Sequence, residues 1–381
     1  MKKLTLLLFI IFSSVLLMSC SGSVKNPNED ICQPGKTDGV YICEKRYTSY
    51  FDTVISLKVY YDKAATYDID QVYEEFEELS LKYHQYFDKY NAYDDVVNLN
   101  TINNSSGPTT VDKELFDAIK FAKDNEDIVV IDGSSLFNIA LHPVLMVWHN
   151  TRNSVACDSF IEFGVDYCPV PTIELEGVTF NTDPDDIILD ETNLTVSFAK
   201  ENMGIDLGGF AKGYFSELII EHFKDLDMNY ILNLGNSNVY ANGTNLDKSD
   251  GLYYIALTTP FSVQPGDYYA VVKLSNGLNL VSSGNYQRYF KNVNDLEDET
   301  IYHHIIDPRT NYPGGEATSI TILYNDGAIG DILSTAIYLM TVEEGLEFVN
   351  DTPGLEALWY LDEENVVMSD NFADYLMEPI N

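Results

Sequence analysis

The chain has 381 residues, of which 60 are Asp or Glu and 22 are Lys or Arg, so its formal net charge is −38. This acidity argues against a nucleic-acid-binding protein, because neutralising phosphates requires clustered cations. Hydrophobic residues make up 45% of the chain, with 27 Tyr and 19 Phe, which predicts a globular protein rather than a disordered acidic one. At about 150 residues per domain, the length suggests two or three domains or one large domain with two lobes.

The N-terminus has the features of an export signal. Two lysines precede an apolar stretch from Leu4 to Met18, and Ser19-Cys20 follows. This pattern is typical of a secretory signal peptide and is too short for a membrane span. Residues 17–20 resemble a bacterial lipobox, although an ordinary signal peptide with an incidental cysteine is the alternative. We expect a signal peptide at residues 1–19 and lipidation of Cys20, which would anchor the protein to the outer face of a bacterial membrane.

Four further cysteines remain when Cys20 is set aside. In an exported protein an even number suggests disulfides, and the sequence favours the local pairs Cys32–Cys43 and Cys157–Cys168. The two other pairings and free buried thiols stay open, and the spacing does not suit zinc.

Domain boundaries follow from composition. Residues 20–46 are polar with Pro, Gly and Asn, so we expect a lipidated flexible tether there and one catalytic domain over residues 47–381.

Helical and strand patterns alternate along this domain. In chain order they predict a strand at 50–60, helices at 72–87 and 112–124, a hairpin of strands at 187–189 and 194–198, a helix at 209–223, strands at 230–234, 252–258 and 268–274, and a strand and helix at 318–323 and 329–340. Interleaved helices and hairpins favour an α+β fold with mixed or antiparallel sheets.

Several segments carry polar groups suited to chemistry, although each pattern alone is weak. Residues 206–214 place glycines and a lysine where a loop enters a helix, an arrangement that presents N–H groups to phosphate. Residues 233–238 form a polar loop after a strand, and residues 281–290 combine a hydroxyl-rich turn with an arginine. His304 lies three positions before Asp307, and histidine is the side chain best suited to proton transfer at neutral pH.

Asp331 and Thr335 are four residues apart in a predicted helix, so their oxygens share one face. A carboxylate with a hydroxyl suits Mg²⁺, which takes few protein oxygens and completes its shell with water and substrate phosphates.

Together and in this order, these segments resemble one family, the FAD:protein FMN transferases or ApbE family. The resemblance spans roughly residues 47 to 372. The segments that carry it are 51–53, 137–148, 206–214, 233–235, 283–290, 304–310, and Asp331 with Thr335.

The resemblance implies a two-lobed α+β flavin transferase with a cleft for FAD between the lobes. It implies that FMN is transferred to a Thr or Ser hydroxyl of an exported protein, such as an electron-transfer protein, with release of AMP. Mg²⁺ would be held by the backbone oxygen of Ala211 and by Asp331 and Thr335. Such an enzyme would act outside the cytoplasmic membrane.

The same resemblance indicates residues for flavin binding and catalysis. The predicted FAD-binding residues are Tyr90, Asp206, Lys212, Asn233, Ser283 and Arg288. His304 matches the family's histidine and is the predicted general base, while Asp307 either orients it or is itself the base. The chemistry agrees, because Mg²⁺ and Lys212 would neutralise charge that repels an oxygen nucleophile from a diphosphate.

The sequence also departs from the family pattern. Asn138 stands where the family often has Asp, His142 replaces a usual Gly, and Asn236-Ser237-Asn238 replaces a Gly-Gly-Asp type of loop. The insertion around Cys157 and Cys168 has no placed counterpart and is a candidate docking surface for the target. Two alternative functions remain: an FAD pyrophosphatase that yields FMN and AMP, and a non-catalytic flavin-binding lipoprotein.

Overall fold

The computed structural model describes residues 31–62, 65–162, 164–264 and 266–380. The predicted signal peptide, the lipidation site Cys20 and the predicted tether up to residue 30 lie outside the described residues. Among the helices of the described ranges, none combines the length and apolar character needed to cross a bilayer.

Strands and helices are numbered separately in chain order. The strands are β1 (Cys32–Pro34), β2 (Val40–Tyr50), β3 (Thr53–Asp62), β4 (Thr109–Thr110), β5 (Val130–Ile131), β6 (Ser134–Ser135), β7 (Asp158–Glu162), β8 (Val165–Cys168), β9 (Ile187–Asp190), β10 (Thr195–Phe198), β11 (Asn229–Leu234), β12 (Asn238–Asn242), β13 (Tyr253–Thr258), β14 (Tyr268–Leu274), β15 (Leu278–Gly284), β16 (Tyr289–Asn292), β17 (Tyr302–His303), β18 (Ser319–Tyr324), β19 (Glu356–Tyr360) and β20 (Val366–Met368). The helices are α1 (Ile69–Phe87), α2 (Leu99–Asn103), α3 (Lys113–Asp124), α4 (His142–Arg152), α5 (Thr172–Glu176), α6 (Ala211–Phe223), α7 (Gly327–Tyr338) and α8 (Val342–Asp351).

The main sheet is antiparallel throughout its nine strands, in the order β1-β2-β3-β11-β12-β15-β18-β19-β20. Smaller sheets have the orders β4-β10-β9, β13-β14, β5-β6 and β17-β16-β8-β7. Helices pack against these sheets, which confirms the predicted α+β class. The predicted strands and helices are also confirmed, with boundaries shifted by at most three residues.

The flexible tether predicted to reach residue 46 is wrong for residues 32–46. Cys32 and Cys43 lie opposite each other on β1 and β2 and form a disulfide, and Cys43 is fully buried. Composition suggested a linker, but this segment is fixed at the sheet edge by strand pairing and by the covalent bond. The Cys157–Cys168 disulfide is also present, so both predicted local pairs are confirmed.

The two faces of the main sheet are covered differently. Along β11, Tyr230, Leu232 and Leu234 pack in the cluster that includes α1, α3 and α6, while Ile231 points to the opposite cluster with β13 and β14. This alternation follows from the pleat of a strand. Helices α6 and α7 therefore lie side by side on one face, where their first turns meet near the ends of the central strands.

A separate aromatic cluster joins α4 to the four-stranded sheet. Trp148 stacks on Tyr302 with ring centroids 6.1 Å apart, and Phe290 lies 6.1 Å from Trp148 and 5.5 Å from Tyr302. These contacts hold the end of α4 against β16 and β17. The Cys157–Cys168 disulfide fixes the hairpin of β7 and β8 beside them.

Candidate active site

The glycine turn, residues 206–210, leads into α6. Asp206 Oδ1 accepts a hydrogen bond of 2.7 Å from the backbone N–H of Gly208, and the N–H of Ala211 donates to the carbonyl of Leu207 at 2.8 Å. The second oxygen of Asp206 pairs with Lys89. Burial opposes the ionised form of Asp206, but Lys89 and the Gly208 N–H hold its pKa below the ordinary value.

Helix α6 approaches α7 through a glycine. A Cβ at Gly213 would lie 1.9 Å from the carbonyl oxygen of Gly327 and 2.9 Å from Cγ of Asp331. With no side chain in the way, the Gly213 N–H donates to Asp331 Oδ2 at 2.6 Å. Asn238 Nδ2 lies 3.5 Å from the other oxygen of Asp331. The sequence thus needs glycine at position 213 to bring the two helices together.

The predicted metal ligands lie at this junction. Burial raises the pKa of Asp331 to about 6, partly offset by the charge of Lys212 and the Gly213 N–H. A Cβ added at Gly209 would lie 3.6 Å from Thr335 Oγ1, so the glycine turn lies next to Thr335. Two residues of α7 that share one helix face therefore lie next to the glycine turn and to the first turn of α6, respectively: Thr335 by Gly209 and Asp331 by Gly213.

The donors at this junction fit a hard cation. A buried carboxylate, a hydroxyl and backbone oxygens are the ligand types that Mg²⁺ takes. The described residues contain no group of three or more His, Cys, Asp or Glu suited to a metal, and a set with a single carboxylate would not form one. Ala211 is the first residue of α6, whereas the carbonyl of Gly209 precedes the helix and accepts no hydrogen bond within the described residues. Gly209 is a candidate ligand that the sequence analysis missed.

Ser283, predicted to bind FAD, lies beside the same helix. Its Oγ is 2.9 Å from Oγ of Ser334, between Asp331 and Thr335 along α7. The hydroxyl is therefore already in contact with a protein partner at the edge of the predicted metal site.

Tyr90 presents a partly exposed aromatic ring near the glycine turn. Its ring is 39% exposed and stacks on His149 with centroids 4.2 Å apart and an interplanar angle of 20°. Lys89 Nζ lies 5.2 Å from the Tyr90 centroid, so the ion pair with Asp206 ties this ring to the glycine turn. A partly exposed aromatic ring in this setting suits contact with a planar ligand. His149 directly follows the family-like segment 137–148 and was not predicted from the sequence.

His304 directly follows β17. Its Nδ1 is buried and has no hydrogen-bond partner within the described residues. Burial, with the nearby charges of Arg288, His303, Arg152 and Lys212, lowers the pKa of His304 to about 3. The imidazole is therefore neutral at pH 7. The charge of Lys212 lowers the pKa of both His304 and Asp331, so this lysine lies close to both groups.

Asp307 forms an ion pair with Arg309. Both of its carboxylate oxygens accept from the Arg309 guanidinium, at 2.7 to 3.1 Å, and Arg309 also donates to the carbonyl of Leu339. This pair closes the loop after His304, so Asp307 is not in contact with the imidazole within the described residues. Its predicted role, either to orient His304 or to act as the base, stays a prediction.

The last two predicted FAD-binding residues, Asn233 and Arg288, lie near the start of β3. Asn233 exchanges hydrogen bonds of 3.0 and 2.8 Å with Asn236, and Arg288 Nη2 donates to the carbonyl of Asp52 at 3.3 Å. A cleft of about 490 Å³ next to them is lined by Asn233 and Gln287, among others. His304, Asp331 and Thr335 do not line this cleft. The candidate site is therefore identified from the contacts of these residues and not from a cavity.

Comparison with known proteins gives a family match. Residues 51–359 match the model of the ApbE family. A FAD:protein FMN transferase of Klebsiella pneumoniae is 28% identical over 291 residues, which cover 73% of this chain and 81% of that relative. A FAD:protein FMN transferase of Treponema pallidum is 29% identical over 191 residues, covering 47% of this chain and 50% of that relative.

Solved structures share the fold. The ApbE protein of Thermotoga maritima superposes with a TM-score of 0.69 at 24% identity, covering 88% of this chain and 100% of that structure. The flavin transferase ApbE of Vibrio cholerae gives a TM-score of 0.66 at 18% identity, with the same coverage of both chains.

Proposed function

This chain belongs to the ApbE family and is a flavin transferase, and we propose that it transfers FMN from FAD to a Thr or Ser hydroxyl of an exported protein. In this reaction the hydroxyl oxygen attacks the FMN-side phosphorus, the anhydride bond to the AMP phosphate breaks, and AMP leaves. The observation that supports this most is the close approach of Gly213 to Asp331 and of Gly209 to Thr335, beside Lys212.

We propose that the reaction depends on Mg²⁺. Asp331, Thr335 and a backbone oxygen of the glycine-turn region would hold the ion, with the carbonyls of Ala211 and Gly209 as the candidates. When bound, Mg²⁺ supplies positive charge that offsets the diphosphate. The ammonium of Lys212 acts in the same direction from the first turn of α6.

His304 is the proposed base for the acceptor hydroxyl. Its pKa of about 3 would make it a poor base in the free protein, and part of that lowering comes from three neighbouring cations, Arg288, Arg152 and Lys212. A bound diphosphate would offset these charges and raise the pKa, because an anion favours the protonated imidazolium. His304 thus gains basicity when substrate is bound.

The proposed location is the outer face of a bacterial membrane, with a lipid on Cys20 as the anchor. Two disulfides among the described residues support an oxidising compartment. The exported acceptor would reach the site from the side of β7, where every residue is exposed and Phe160 is 98% exposed. The insertion thus remains a candidate docking surface.

Mass spectrometry of a candidate acceptor protein tests the proposal. The purified chain is incubated with FAD and Mg²⁺, with and without an acceptor that carries a Thr, and with His304→Ala as the comparison. We expect an acceptor mass increased by FMN only with the wild-type chain. FMN and AMP formed equally well without any acceptor would instead identify a pyrophosphatase. No product under any condition, with FAD still bound, would identify a flavin-binding lipoprotein.

A further inference from the structure

The arginines of this chain divide into two classes. The sequence contains four: Arg46, Arg152, Arg288 and Arg309. Arg46 pairs with a glutamate at 2.7 Å and Arg309 with an aspartate at 2.7 Å. Arg152 and Arg288 form no ion pair within the described residues, although acidic residues greatly outnumber basic ones in the chain.

The two unpaired arginines lie on segments that are packed together. Arg152 ends α4, one turn after Trp148, and Trp148 contacts Phe290, which is two residues after Arg288. Trp148 also stacks on Tyr302, two residues before His304. The aromatic cluster therefore brings together the segments that carry both guanidinium groups and the imidazole.

Covalent and hydrogen-bonded contacts hold these segments in place. Cys157 Sγ lies 3.6 Å from the carbonyl oxygen of Arg152, and its disulfide partner Cys168 pairs with Asn292 of β16. Arg288 Nη2 is oriented by the carbonyl of Asp52.

The electrostatics agree with this placement. Burial and the charge of Arg288 lower the pKa of Arg152, so the two cations repel each other. The carboxylate that partly offsets this, Asp166, accepts a hydrogen bond from Ser159 and lies beyond ion-pair distance. Two like charges without an ion pair in the described ranges, near a buried imidazole nitrogen without a partner, favour the binding of an anion.

We propose that Arg152 and Arg288 form a clamp for a phosphate oxyanion of the dinucleotide, which makes Arg152 a further substrate-binding residue. This inference rests on the proposed function for the identity of the ligand. Guanidinium groups bind phosphate oxygens through two parallel N–H donors, and a phosphate between them would remove their mutual repulsion. Since neither guanidinium has a carboxylate partner within the described residues, the substrate supplies the missing negative charge.

Ligand titrations of the full mature chain test the clamp without any transfer step. FAD, FMN, AMP and riboflavin are titrated by fluorescence or calorimetry, in EDTA so that no metal contributes. The variants are Arg152→Gln, Arg152→Lys and the control Lys113→Gln, which removes an exposed cation paired with Asp117 at a distant helix. Thermal unfolding confirms that each variant is folded.

We expect Arg152→Gln to weaken FAD roughly ten- to hundredfold, as loss of a charge-assisted hydrogen bond implies. Riboflavin, which has no phosphate, keeps its affinity. The loss for FMN or for AMP identifies which phosphate is held. Arg152→Lys should give an intermediate affinity, because lysine keeps the positive charge but lacks the planar guanidinium group. If Arg152→Gln does not fold, the affinity of Arg152→Lys is used for the test instead. Lys113→Gln changes nothing.

Two results would overturn the clamp. One is unchanged affinity for FAD, FMN and AMP in Arg152→Gln, including the case in which only the KM for the acceptor protein rises. The other is an equal loss for riboflavin, which would indicate a structural role. A wild-type chain that binds phosphorylated ligands through Arg152 but flavinylates no acceptor would leave the clamp intact and refute the transferase.

Discussion

The two sides of the candidate site differ in the hydrogen bonds and ion pairs of the groups proposed to act. On the helix side, formed by the glycine turn, α6 and α7, Asp331 accepts from Gly213 and Ser283 contacts Ser334. On the sheet side, formed by the end of α4 with β16 and β17, His304 Nδ1 is buried without a partner and Arg152 has no ion pair within the described ranges.

This difference separates what the protein supplies from what the substrate supplies. The helix side is organised before any ligand binds, because backbone contacts too close for a side chain fix its oxygens. The sheet side holds uncompensated positive charge that a diphosphate would neutralise. Variants on the helix side should therefore change the chemistry and the packing. On the sheet side, variants of the unpaired arginines should change substrate affinity and the basicity of His304, while variants of His304 itself should change the rate of transfer.

The strongest test of this division is His304→Gln. We expect kcat for flavin transfer to fall by roughly 10²–10⁴-fold, the usual contribution of a general base. Binding of FAD should change little, since the imidazole is neutral and makes no Nδ1 hydrogen bond that the variant would lose. Quantified flavin fluorescence of the acceptor in a denaturing gel measures the rate. A variant that keeps wild-type kcat would remove His304 from the reaction.

The pH dependence of the wild type sharpens the same point. Since the pKa of His304 in the free protein is about 3, the profile of kcat/KM should show no histidine limb between pH 5 and 8. The profile of kcat, which reports the substrate complex, should show its acid limb at higher pH because the bound anion raises the pKa. The same lowered pKa also affects stability. Between about pH 6.5 and 3 the unfolded chain binds a proton at His304 that the folded chain does not, so the free energy of unfolding should decrease as the pH falls through this range.

Asp331→Asn is the corresponding change on the helix side. We expect Mg²⁺-dependent transfer to fall by roughly 10²–10³-fold, the scale for losing one electrostatic contact to the reacting group. Unfolding stability should stay equal or rise, because an amide oxygen still accepts from Gly213 and a buried carboxylate no longer has to be desolvated. Activity assays over a Mg²⁺ series and denaturant titrations measure the two effects. A parallel loss of stability would mean that Asp331 is mainly structural.

The sequence predicted the helix side of the site better than the sheet side. The spacing of Asp331 and Thr335 placed both on one helix face, and the glycine turn signalled the approach of a backbone. These features are local in sequence, and the structure brings them together as expected. The predicted helices and strands were confirmed for the same reason, since each follows from a short periodic pattern.

The sheet side depends on contacts that no local pattern contains. Arg152 reaches the site because Trp148 stacks on Tyr302, more than 150 residues away in the chain. Asp307, three residues from His304, pairs with Arg309 instead, since the turn after it places the guanidinium against both oxygens. The segment of residues 32–46 was predicted to be a tether because composition does not report strand partners.

Glycine packing between α6 and α7 gives the next test. Gly213→Ala places a Cβ 1.9 Å from the carbonyl oxygen of Gly327, so we expect a loss of about 1–3 kcal/mol of unfolding free energy from overpacking, together with reduced transfer. Gly107→Ala is the matched control, because its Cβ would meet nothing within 4 Å. Urea denaturation compares the two. Equal stability of both variants would show that the junction is looser than these contacts imply.

The two disulfides allow a small effect on FAD affinity to be separated from their effect on stability. Both close segments with a sequence separation of 11, so the chain-entropy model predicts a similar stability loss for the paired serine variants of either one, about 3 kcal/mol at most. Only the Cys157–Cys168 bond adjoins Arg152. Replacing it should weaken FAD by roughly two- to tenfold through a looser guanidinium, while the Cys32–Cys43 variant keeps wild-type affinity. Because the two variants share their entropic cost, a difference in FAD affinity reports the position of the bond. Equal affinities would show that the aromatic cluster around Trp148 holds Arg152 without the disulfide.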